Sequence, residues 1–184
     1  MTYLIIGVAL FCGMHLFPAA AGLRQSLIAR IGENPYKGLF SAIALAGIVL
    51  MVMGYSNAEL IQVFSPPAWG RTATAILMLL SLILFAAANM PGNIKRITRH
   101  PMLWGLVLWA VGHLLSNGDR ASLILFGGLG VFGLLAMLSA NLRGATKQIH
   151  KVPYMKDIMI IVAGIVVYIV LIFAHPYLSG VAIR

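Results

Sequence analysis

The chain has 184 residues, 61% of them apolar, and sets 13 Lys and Arg against four Asp and Glu for a formal charge of +9. Only 9% of the residues are charged, where a soluble domain carries about a quarter, so the composition excludes a water-solvated globule and fits a chain with a bilayer as solvent. One cysteine, Cys12, excludes an internal disulfide framework and a zinc site built from cysteines.

Apolar runs bounded by charge occupy residues 2–22, 39–55, 72–88, 102–115, 122–140 and 158–178. They predict an all-α integral membrane bundle of six transmembrane helices in one domain spanning 1–184, since about 20 helical residues cross a hydrocarbon core of about 30 Å. The first run has no basic residue before it and positive charge after it, so it reads as a retained helix and not a cleaved signal peptide. The fourth run is short. It reaches span length only if Arg99, His100 and Pro101 form its first turn, with Pro101 where a missing N–H costs nothing. Residues 141–157 form the longest polar connection, basic and able to fold as a surface helix.

The positive charge falls unevenly between the connections. Arg24, Arg30 and Lys37 lie in the first; Lys95, Arg96 and Arg99 in the third; Arg143, Lys147, Lys151 and Lys156 in the fifth. Only Arg71, Arg120 and Arg184 remain for the opposite side. The positive-inside rule then puts three basic connections in the cytoplasm and both termini on the outer, periplasmic side of a bacterial inner membrane. A charge spread over loops in this way is a topology signal and excludes a nucleic-acid surface; attraction to anionic lipid headgroups follows from it.

Histidines inside apolar helices stand out, because polar side chains there turn to the bundle interior or to a water-filled site. His15 is expected about 10 Å from the cytoplasmic end of the first helix, and His113 about 18 Å from the same side, at 1.5 Å per residue. Either one alone could be a hydrogen bond between helices. Two on different helices could also hold a metal, since imidazole is a frequent metal ligand and facing histidines in a bundle hold haem. Cys12 lies one turn before His15 and reads as a packing residue or a further ligand. His175, before Pro176, reads as structural, and His150 as solvated.

Arg99, His100 and Pro101 open a helix whose free N–H groups favour an anion. A haem propionate or another cofactor carboxylate could be held by Arg99 with Arg24 as partner, and an interfacial anchor to lipid phosphate is the other reading. Tyr55 and Trp69 read as outer belt residues, Tyr36 and Tyr154 as inner ones. Trp109, one turn before His113, could pack against a flat cofactor or against another helix.

Arg99-His100-Pro101 with Gly105, Trp109, His113-Leu114-Leu115 and Asn117-Gly118 resembles the signature of the NnrU family of membrane proteins. His15 with Arg24, the loop Gly32-Glu33-Asn34-Pro35-Tyr36-Lys37, and Phe40-Ser41 match that family's N-terminal part. The resemblance covers most of the chain. It implies a role in nitrogen-oxide metabolism of denitrifying bacteria or, through the family's plant and cyanobacterial members, redox-gated cis/trans isomerisation of a lipophilic substrate such as ζ-carotene. It implies haem b, with His15 and His113 at the positions of the isomerase's iron ligands, and a lipophilic small molecule or nitric oxide as the molecule acted on. The isomerase has a cysteine one turn before the second histidine where this chain has Ala110, which removes a cysteine ligand switch.

Arg-His-Pro followed by Gly105 is also similar to membrane methyltransferases that use S-adenosylmethionine. Those carry a tyrosine where this chain has Leu103, and acids further on, where only Asp157 follows Arg120. A non-enzymatic assembly factor for a respiratory complex is the third reading.

Overall fold

The computed structural model describes residues 1–179 and is built from helices: α1 (Thr2–Leu16), α2 (Ala21–Ile31), α3 (Glu33–Ser56), α4 (Gly70–Asn89), a single turn α5 (Ile94–Ile97), α6 (Pro101–Ser116), α7 (Arg120–Leu142) and α8 (Met155–Ser179). Among the described residues there is no strand, only an isolated antiparallel bridge between Gln62 and Asp119. Five helical segments are long and apolar enough to cross a membrane: Thr2–Ala19, Glu33–Ser56, Gly70–Asn89, Arg120–Leu142 and Met155–Tyr177. Helix α6 is apolar but has 16 residues, about 24 Å at 1.5 Å each. The expected first turn through Arg99 and His100 does not form. His100 is the residue before the helix and Pro101 opens it, because proline disfavours helical backbone in the residue that precedes it.

Two further boundaries differ from the sequence expectation. The first run breaks at Pro18: α1 ends at Leu16, a 3₁₀ turn follows over Phe17–Ala19, and a separate helix starts at Ala21. Proline cannot donate to the carbonyl four residues back, so His15 stands in the last turn of α1, nearer the end of the span than expected. The loop expected at Gly32 to Lys37 is the start of α3, which begins at Glu33 after Gly32 makes the corner at φ +87°. Pro35 falls in the first turn of that helix, where its missing N–H is tolerated. The connection at 143–154 contains no helix.

Helix α1 packs on α3, α4 on α6 and α8, and α6 on α7. Small residues set the α1–α3 approach: a Cβ placed on Gly7 would lie 2.6 Å from Met51 N and 2.7 Å from Gly47 O. Hydroxyls join α4 to α6, with Thr74 Oγ1 donating to Gly112 O at 2.7 Å and Ser81 Oγ to Gly105 O at 2.7 Å. These are the close contacts by which helices associate in lipid, where apolar side chains gain little by leaving the solvent. Leu4, Met51, Ala121 and Leu129 form a buried cluster where α1, α3 and α7 meet.

Polar contacts close each end of the bundle. At one end Gly118 O accepts from Val63 N and Phe64 N, and Arg120 N donates to Ile61 O, so the 57–69 connection is laced to the start of α7. Gly118 is buried there with no room for a side chain against Phe64 O. At the other end Asn93 is the pin. Its amide nitrogen donates to Val152 O at 2.8 Å and to Asp157 Oδ2 at 2.6 Å, its backbone N donates to Asp157 Oδ1 at 2.6 Å, and its Oδ1 accepts from Val152 N at 3.0 Å. The three basic connections gather at this second end, and Arg71 and Arg120 stand at the first; Arg184 lies outside the described residues.

Candidate functional site

Both membrane histidines are tethered in the same way. His15 Nδ1 bonds Phe11 O at 2.8 Å, and His113 Nδ1 bonds Trp109 O at 2.8 Å. A carbonyl only accepts, so Nδ1 is the donor, which in the neutral ring leaves the lone pair on Nε2. Among the described residues no hydrogen bond reaches either Nε2.

Aromatic rings wall both sites. His113 stacks on Phe126 with centroids 4.3 Å apart and planes 18° from parallel, and Trp109 lies 4.7 Å from His113 and 4.9 Å from Phe126. His15 meets Phe11 at 4.1 Å, Phe40 at 5.2 Å and Phe132 at 6.0 Å. Phe126 belongs to a π-helical turn, Leu123–Gly127, inside α7; such turns carry an extra residue and recur at functional sites.

Helix α7 thus serves both histidines, but at two levels. Phe132 follows Phe126 by six residues, about 9 Å along a helix. His113 lies at the level of Tyr55 and Phe126, and His15 at that of Phe40 and Phe132. Among the described residues no ring contact joins the two imidazoles, and each has its own phenylalanine of α7 beside it. Among the described residues no three His, Cys, Asp or Glu gather as a metal cluster.

The side chains around these rings were only partly foreseen. Tyr36 and Tyr55 turn into the bundle rather than out toward a lipid interface. Tyr36 is 5% exposed and its hydroxyl is buried without a partner. Arg24 lies over its ring, 5.7 Å from the centroid, and Phe40 connects it to His15. Tyr55 OH shares a 2.9 Å hydrogen bond with Ser122 Oγ, which donates to Asp119 Oδ2 at 2.6 Å, while its ring meets Phe126. Cys12 packs beside the buried Leu4 cluster. His175 shares a hydrogen bond with Ser179, and His150 is exposed.

Arg24 and Arg99 occupy different corners. Arg99 Nη1 donates to Asn141 Oδ1 at 2.6 Å, and His100 Nε2 meets the same oxygen at 2.9 Å. Two adjoining cavities, about 430 and 550 Å³, share Arg99 and His100. Lys95, Thr146 and Gln148 line the first; Trp104, Leu134, Leu138 and Lys147 line the second.

A bundle of apolar helices, joined by small residues and hydroxyls and enclosing two tethered histidines, defines a multi-pass membrane protein. The chain matches the family described as NnrU protein over residues 3–183, and it belongs to the NnrU family. No curated protein and no solved structure gives a match.

Proposed function

We propose that this NnrU-family protein binds haem b through His15 and His113, crosses a bacterial inner membrane six times with α6 as the shortest span and both termini outside, and serves nitrogen-oxide metabolism or redox-gated cis/trans isomerisation of a lipophilic molecule. One observation carries the reading: both histidines have Nδ1 fixed by the carbonyl four residues earlier and Nε2 left as a lone pair inside an aromatic wall. Such a tether would hold the tautomer and ring orientation of an imidazole that ligates iron through Nε2. The donor set fits the group, and the buried hydroxyl of Tyr36 beside Arg24 offers a hydrogen bond and a positive charge to a carboxylate on the His15 side.

When bound, haem supplies a redox centre whose potential follows its axial ligands and the dryness of the pocket. The chain's residues do the rest. Phe126 beside His113 and Phe132 beside His15 would wall the group and keep water from it. Trp109 packs tilted against His113, with centroids 4.7 Å apart and planes at 50°, and supports its orientation. Ala110, 1% exposed, puts a methyl group one turn before His113, where it cannot act as a ligand.

The test is a visible spectrum of full-length protein purified from haem-replete cells, oxidised and dithionite-reduced. Low-spin b-type bands that weaken or turn high-spin in both His15→Ala and His113→Ala support the reading. A colourless preparation, or bands unchanged in both variants, overturns it.

A further inference from the structure

We propose that the cleft around Arg99 and His100 is a specific site for the phosphate headgroup of an anionic glycerophospholipid, whose acyl chains lie along the groove between α6 and α7. Three cations border the two cavities: Lys95, Arg99 and Lys147. None has a carboxylate within ion-pair distance, since Lys37 with Glu33 is the one ion pair among the described residues. The two acids at this end are engaged elsewhere, Glu33 with Lys37 and Asp157 with Asn93. An unneutralised basic cleft matches a phosphate, and a guanidinium presents several donors to it in a fixed plane.

The neighbouring surface distinguishes a lipid from a free phosphate. The larger cavity is walled by Trp104, Leu134 and Leu138, which are 42%, 50% and 55% exposed, and Val131 continues the strip up α7 at 57%. An apolar groove rising from a cationic mouth at a helix end fits a headgroup with its chains attached. Asn141 aids recognition by holding Arg99 and His100 on one oxygen, which fixes the cleft's edge and leaves the other guanidinium N–H groups to the ligand.

Native mass spectrometry of the full-length protein in detergent tests the site, with phosphatidylglycerol, phosphatidylcholine and inorganic phosphate as probes. One phosphatidylglycerol per chain should bind at least about tenfold more tightly than phosphatidylcholine. Removing one charge in Arg99→Gln or Lys147→Gln should weaken it about fivefold, and filling the groove in Leu134→Trp should weaken the lipid more than inorganic phosphate. Arg30→Gln, an exposed basic residue at the same end of the bundle, should change it less than twofold. Equal losses in Arg30→Gln and Arg99→Gln would mean diffuse attraction and overturn the site. Equal affinity for the two lipids, with displacement by millimolar inorganic phosphate, would overturn the lipid assignment. The readout needs no haem, so its failure and that of the histidine reading are separate results.

Discussion

Gly7→Ala tests whether the α1–α3 contact holds the helix that carries His15. The new Cβ would meet Met51 N at 2.6 Å, Gly47 O at 2.7 Å and Met51 Cγ at 2.9 Å. Comfortable separation is about 3.5 Å or more, so α1 must retreat by roughly 0.9 Å. A gap of that size forfeits about a quarter to a half of the dispersion energy of the atoms it parts, among them the fully buried Leu4. Overpacking of this kind costs about 1–3 kcal/mol, against which alanine recovers about 0.5–1 kcal/mol of helix preference. The control is Gly13→Ala on the same helix, where an added Cβ meets nothing within 4 Å and only the favourable part remains. Thermal unfolding in detergent should place Gly7→Ala below Gly13→Ala by on the order of 5 °C. Equal midpoints would refute the claim that α1 is seated on α3 through its glycines.

Other substitutions probe the ends of the bundle. Asn93→Ala removes both side-chain donors and the acceptor that pin the 143–154 connection; limited trypsin digestion should cut several-fold faster at Arg143, Lys147 and Lys151, and an unchanged digest would argue against the pin. Ser122→Ala strands Tyr55 and takes one donor from Asp119, an expected cost of about 1–3 kcal/mol, while Tyr55→Phe leaves Ser122 bonded to Asp119 and should cost about 1 kcal/mol in the same unfolding assay. Lys37→Ala breaks an exposed pair, with side chains 65% and 62% accessible, and should shift stability by less than about 0.5 kcal/mol with little response to added salt.

Element existence could be read from hydropathy; the faces of the elements could not. Long apolar runs bounded by basic residues located the spans and the basic end of the bundle, because both are sums along the chain. In lipid a helix is apolar all round, so the sequence carries little period to say which side turns inward. Phe126 and Phe132 therefore look like any other apolar residue of α7, although each walls a histidine. Tyr36 and Tyr55 sit near helix ends and invite a belt assignment, yet both turn inward, one orphaned and one bonded to Ser122. His15 and His113 were legible because a polar ring among apolar neighbours is conspicuous wherever it points. Their separation into two levels was legible too, since counting residues from the basic side already put them about 8 Å apart in depth; the phenylalanines that wall each one were not. Asn93 and Asp157 lie 64 positions apart in connections with no shared pattern, and only the fold brings them together.

The π-helical turn in α7 affects how this helix tolerates change. An extra residue between Leu123 and Gly127 rotates everything after it by about 100° relative to an unbroken helix. A site-by-site scan of α7 should therefore trace two sensitivity waves, one running outward from Phe126 and one inward from Leu129 and Phe132, with a phase slip of one residue where they meet. Deleting a single residue within the turn would heal the hydrogen-bond ladder and put one of the two waves onto the lipid side. The widened turn is what lets one helix furnish a wall to His113 and another to His15.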